Sequence, residues 1–205
     1  MAHVPINDIQ KAAVLTTFGL VASYTKLNFV EAPSGSATDA TLRFAQGHGD
    51  SSHARFPINN GAWVGYRSDS RDAGDNFLGS NGNPESARYF GTDEFNTIMH
   101  EFGHSIGLKH GHDGSVHGAL ADARDDNEFS VMTYASYLDS DISRGATLAV
   151  EGSSPQSFMM YDIAAFQALY GANFGKVGTN LTYRWDKDTG QQLSLIHISE
   201  PTRPY

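Results

Sequence analysis

The sequence predicts an α+β domain, and three observations carry that prediction. Apolar residues recur at helical spacing near the N-terminus, around residue 100 and again after residue 155. Short apolar or alternating runs separate the first two of these segments, and the rest is polar and glycine-rich. A chain of 205 residues with 40% hydrophobic and 18% charged residues suits one folded domain with a sizeable core.

The first helix is expected from about Asn7 to Ser23, where Val14, Phe18 and Val21 mark an apolar face widened by Ala13, Leu20 and Tyr24. Strands are expected at Leu27 to Val30, Thr41 to Ala45 and Gly61 to Arg67. Residues 68 to 86, rich in Ser, Asp, Asn and Gly, read as loop. A second helix starts near Thr92, with Asp93 and Glu94 in the turn where the helix dipole favours acids. Its buried face is Phe95, Ile98, Met99, Phe102 and Ile106. A third helix is punctuated by Ser154 as N-cap, Pro155 at its first position and Gly171 past its last turn.

Composition removes several classes of function. The formal net charge is -9 with no basic cluster, so nucleic acid is repelled. The absence of cysteine excludes a disulfide framework, a thiolate metal site and a cysteine nucleophile. The longest mostly apolar stretch, Ala12 to Ala22, is about half the ~20 residues of a membrane span. No basic-then-apolar leader opens the chain.

The segment from Leu193 to Arg203 resembles the translation of a transposase adapter used to prepare DNA for sequencing. Residues 193–205 are therefore expected to be a non-native tail, with the natural chain continuing beyond Gln192 and residues 1–192 forming one domain truncated at both ends.

Chemistry concentrates in His100-Glu101-Phe102-Gly103-His104-Ser105-Ile106-Gly107-Leu108-Lys109-His110, which satisfies H-E-x-x-H-x-x-G-x-x-H in full. On a helix, His100 and His104 are offset by ~40° and ~6 Å, so both imidazoles can meet one ion. Glu101 points off that face and is placed to reach a metal-bound water as a general base. Gly107 permits the left-handed backbone that stops the helix, and His110 then closes the site as third ligand. Three nitrogen ligands with a fourth position for water describe a catalytic zinc site. With this composition the pattern arises by chance on the order of 10⁻⁴ times per chain. His112 competes with His110 but breaks the spacing. His48, His53 and His117 lie in polar stretches and read as surface histidines.

These residues, with Ser130-Val131-Met132-Thr133-Tyr134 downstream, resemble the metzincin metallopeptidases. Residues 155–173 are similar to the helix that follows the methionine turn in the serralysin branch. The resemblance implies a zincin domain with a small twisted, mostly parallel sheet, an active-site helix, a methionine turn and a C-terminal helix. It implies that Met132 lies beneath the three histidines and that Tyr134 contacts the zinc and later the oxyanion. It further implies a secreted, extracellular endopeptidase acting on proteins or peptides as a monomer. In such enzymes Ca2+ binds Gly/Asp repeats C-terminal to the domain, and neither repeats nor an export signal is found in this chain. An edge strand above the cleft, with Gly61 to Arg67 as the candidate, would pair with substrate. The rival readings are a non-catalytic zinc-binding module of an exported protein and a cytosolic peptidase of another zincin branch.

Overall fold

Asn7 starts the first helix by a reciprocal cap. Its side chain accepts the Gln10 N–H at 2.8 Å, and Gln10 Oε1 accepts the Asn7 N–H at 3.0 Å. Helix α1 then runs Asp8–Tyr24 and buries Ala13, Val14, Thr17 and Val21. The computed structural model describes residues 4–33, 40–47, 51–55, 73–79, 84–88, 90–115, 117–136, 154–175, 183–185 and 192–194. The chain divides into two units, Met1–Ala172 and Asn173–Tyr205. Within the described residues of the second, β5 (Tyr183–Trp185) pairs antiparallel with β6 (Gln192–Ser194).

In the first unit, strands β1 (Val4–Pro5), β2 (Arg43–Gln46), β3 (His53–Ala54) and β4 (Asp75–Leu78) form a sheet in the order β1-β2-β4-β3. Only β2 and β4 run parallel; β1 with β2 and β3 with β4 are antiparallel. The sheet is therefore mixed among the described residues, correcting the expectation of a mostly parallel one. Short neighbouring segments can pair antiparallel without the long crossover that parallel strands need.

Other expectations change as well. Strand β4 and a 3₁₀ segment, Pro84–Arg88, fall inside or across the stretch read as loop. Asp75 and Asn76 are poor strand formers, but the Arg43 guanidinium grips Asp75 through two 2.7 Å bonds across the parallel ladder. Residues Leu27 to Val30 are not a strand; Phe29 instead stacks on Phe18 with centroids 4.5 Å apart. The candidate at Gly61 to Arg67 lies outside the described residues.

Helix α2 (Asp93–Ser105) begins where expected, with Thr92 Oγ1 accepting the Phe95 N–H at 3.4 Å. Phe102 on its buried face meets Phe18 of α1 at 4.9 Å, which joins the two helices through the aromatic core. Helix α3 is Met160–Tyr170, five residues later than its expected start at Pro155. Ser154 is no cap, because its hydroxyl binds Asp93 Oδ1 at 2.5 Å and so ties this segment to the start of α2. The helix ends at Gly171, with φ 77°, as its sequence predicts. Tyr170 donates its hydroxyl to the Ile106 carbonyl at 2.6 Å, pinning the exit of α2.

Candidate metal centre

The exit of α2 follows from Gly107. The Gly107 N–H bonds the His104 carbonyl at 3.0 Å and the Leu108 N–H bonds the Gly103 carbonyl at 2.9 Å. This pair of bonds is a Schellman stop, and it requires the positive φ of 105° found at Gly107. A β-carbon there would cost about 1–2 kcal/mol. The chain is thereby turned back, and His110 approaches the two helical imidazoles from outside α2.

Three ring nitrogens meet. His100 Nε2 lies 3.1 Å from His104 Nε2 and 3.1 Å from His110 Nε2, while the last two are 3.0 Å apart. They form the metal-competent cluster found among the described residues. Tetrahedral zinc with Zn–N bonds of 2.0–2.1 Å sets nitrogens about 3.3 Å apart, so the triangle fits a zinc-sized ion.

The second ring nitrogens explain why a cation suits this triangle. His100 Nδ1 donates to the Val131 carbonyl at 2.7 Å, and His104 Nδ1 donates to the Leu108 carbonyl at 2.7 Å. Carbonyls only accept, so both protons sit on Nδ1 and both Nε2 atoms present lone pairs. Their 3.1 Å contact is therefore not a hydrogen bond. Two lone pairs at that distance repel unless a cation lies between them.

Burial keeps these rings neutral. It pushes the His100 pKa down, and it lowers His104 to about 2 and His110 to about 4, with neighbouring imidazoles adding to all three. Neutral imidazole is the form a metal binds. Glu101 is 8% exposed, and burial pushes its carboxyl up to about 8, against the lowering effect of the Ala54 N–H on β3.

Met132 is buried at 2% exposure and packs against α2 at Gly103. A β-carbon on Gly103 would lie 2.5 Å from Met132 Sδ, so the glycine makes room for the thioether beneath the histidine-bearing turn. Tyr134 is exposed, and its hydroxyl is 2.9 Å from His110 Nε2. His112 is not one of the three converging rings; it stacks on His110 at 5.1 Å, with 9° between the planes.

Two contributors went unnoticed in the sequence. Gly103 sits inside a helix, where glycine costs about 1 kcal/mol relative to alanine, a sign of a packing reason. Asp162 is an acid in the first turn of a mostly apolar helix. Its carboxylate is buried and accepts from Ser130 Oγ at 2.6 Å, from the Val131 N–H at 2.9 Å and from the Met159 N–H at 2.9 Å. It holds the 130–132 turn from below, and desolvation raises its pKa despite those bonds.

The chain is similar to known metallopeptidases. A model of the Matrixin family matches residues 3–132. Metallopeptidase AprA of Pseudomonas marginalis is 28% identical over 196 residues, which is 91% of this chain and 39% of that protein. Serralysin B of Dickeya chrysanthemi is 29% identical over 181 residues, 84% of this chain and 32% of that protein. Metalloprotease AprA of Pseudomonas entomophila is 26% identical over 199 residues, covering 91% and 38%. The chain thus spans under two fifths of the length of these relatives. A family model that covers more than half of the chain, over a helix whose imidazoles converge on one point, shows that the chain belongs to the Matrixin family, as a serralysin-like metzincin of the zinc metallopeptidases.

Proposed function

We propose that residues 1–192 are the catalytic domain of a zinc-dependent endopeptidase that hydrolyses peptide bonds of extracellular proteins, with Glu101 as general base. The observation that carries this reading is the meeting of three Nε2 atoms within 3.0–3.1 Å of one another beside a buried carboxyl group. His100, His104 and His110 would hold the ion. When bound there, zinc polarises a carbonyl, brings the pKa of a water towards ~7 and favours the ionised form of Glu101.

The chain's own residues supply the rest. Glu101 takes the proton of the attacking water and returns it to the leaving amine. The Ala54 N–H steadies the carboxylate between these transfers. Tyr134, released from its 2.9 Å contact with His110, donates its hydroxyl to the oxyanion that develops on the substrate. Met132 and Gly103 keep the ligand-bearing turn packed, and Gly107 keeps the third ligand on its path. Strand β3 is one of the two outer strands of the described sheet and the one that contacts Glu101, through Ala54, which makes it the candidate edge for an extended peptide. Secretion and Ca2+ binding, if this protein has them, would not come from the imidazole triangle, which offers only nitrogen donors.

The test is casein cleavage by the zinc-loaded domain, repeated with a chelator and with Glu101→Ala. Parent activity should vanish with chelation and return with zinc. Glu101→Ala should keep its zinc and lose 10²-fold or more in rate. Equal cleavage by Glu101→Ala and parent would remove the base assignment.

A further inference from the structure

His110 differs from the other two ligand candidates in what orients it. His100 and His104 each donate Nδ1–H to a backbone carbonyl at 2.7 Å. Among the described residues the ring of His110 has no such partner; its polar contacts are the two facing Nε2 atoms and the Tyr134 hydroxyl. Metal-ligating imidazoles almost always have their second nitrogen held. Its neighbouring rings are the contacts that remain to orient it.

The ring that lies flat against His110 is that of His112. Its ring lies nearly parallel to His110, 9° between planes and 5.1 Å between centroids, and 5.1 Å from the ring of Tyr134. Tyr134 contacts both, with its centroid 4.6 Å from His110 and tilted 51° to it. The three rings form a cluster in which His112 and Tyr134 are exposed and His110 is half-buried.

The backbone is built to deliver His112. The Gly111 N–H bonds the Met132 carbonyl at 3.2 Å, and the Leu120 N–H bonds the Gly111 carbonyl at 2.8 Å, so the link between the two histidines is fixed at both ends. A β-carbon on Gly111 would lie 2.1 Å from Asp125 Oδ1, so the glycine admits that carboxylate beneath the segment. Asp125 Oδ1 is buried without a partner, and Oδ2 lies 3.9 Å from His112 Nδ1. The Thr133 hydroxyl bonds the Asp125 carbonyl at 2.8 Å, anchoring the acid to the turn that carries Tyr134.

We propose that His112, delivered by Gly111 and flanked by Asp125, is the positioning residue for His110. In this role it substitutes aromatic stacking for the missing carbonyl bond and sets the attitude of the third ligand. The inference rests on the metal-centre reading, and its test is read on the metal rather than on turnover. The parent, His112→Ala and His112→Phe are loaded with Co2+, and the visible absorption of the bound ion is recorded. Zinc affinity is measured in parallel by competition with a chromogenic chelator.

His112→Ala should bind zinc about tenfold more weakly and shift the cobalt bands. His112→Phe keeps a flat ring without a ligating nitrogen, so it should restore both to within twofold of the parent. If His112→Ala matches the parent in affinity and spectrum, the proposal is overturned. Failure of both variants alike also overturns it, because His112 would then act through its nitrogens. Thermal melts of the metal-free variants separate a general loss of fold, which would lower the melting temperature before any metal is added. A parent that binds zinc yet cleaves no substrate would sink the peptidase reading, while the zinc and cobalt comparison would still decide the role of His112.

Discussion

Met132 Sδ fills the space that a side chain on Gly103 would need: a β-carbon built there falls 2.5 Å from the sulfur and 3.7 Å from Leu108 Cδ1. Two effects compete in Gly103→Ala. Helix propensity gains about 1 kcal/mol, whereas overpacking a filled site costs roughly 1–3 kcal/mol. Met132 is 2% exposed and has little room to retreat, so the net effect should be destabilising by about 1–2 kcal/mol. Urea denaturation at constant slope measures it. In the double variant with Met132→Ala the alanine at 103 should cost less, and strict additivity of the two changes would disprove the contact as the cause.

Asp162 offers a test at a distance from the ligands. Removing its carboxylate in Asp162→Ala leaves the Val131 and Met159 N–H groups and the Ser130 hydroxyl without their acceptor. The expected loss is roughly 2–4 kcal/mol of stability. Because the Val131 carbonyl orients His100, zinc affinity should also fall, by about 10–100-fold. Unchanged affinity in the folded variant would mean that the turn holds His100 without help from α3.

How far this arrangement could be read in advance depended on whether its cause was local. Helices α1 and α2 announce themselves through neighbours in sequence, the Asn7–Gln10 reciprocal cap and the Thr92 cap, and their starts were legible. The spacing of residues 100, 104 and 110 also carries its geometry, since one helical turn and one glycine stop bring the three rings together. Ser154-Pro155 gave a false start because the serine found a better partner 61 positions away in Asp93. Strand β4 looks like loop in the sequence because what stabilises it, Arg43 on a neighbouring strand, lies 32 residues earlier. Asp162 gives no local signal for the same reason, since Ser130 and Val131 lie 32 and 31 residues earlier.

The metal-free domain should respond to acid in a way that Glu101 moderates. His104 and His110, at about 2 and 4 in the fold, stay unprotonated where the unfolded chain, near 6.5, takes up protons. Their contribution is complete above pH 6.5 and is lost as pH falls. Glu101 acts oppositely: at about 8 in the fold against an ordinary 4.5, it favours folding below pH 4.5, and that advantage fades as pH rises to 8. Glu101→Gln removes the opposing trend. Between pH 6.5 and 4.5 its stability should fall more steeply than the parent's, by up to about 1.4 kcal/mol per pH unit. Parallel stability curves for the two proteins would show that Glu101 is not held protonated in the metal-free fold.

Zinc should stabilise the domain by relieving the opposed lone pairs of His100 and His104. At free zinc 100 times the dissociation constant, binding to the native state alone adds about 2.7 kcal/mol. The midpoint of thermal unfolding should rise with zinc concentration in the parent and stay flat in His104→Ala. A concentration-independent midpoint in the parent would place the ion elsewhere or nowhere.

The donor set also decides which ions are refused. His100, His104 and His110 offer only neutral nitrogen, and no carboxylate oxygen belongs to the cluster. Calcium and magnesium demand oxygen donors, so both should leave this pocket empty even at millimolar concentration. Any calcium dependence seen with this domain must then originate outside the triangle, and a buffer that strips calcium alone should leave the imidazole-bound ion in place.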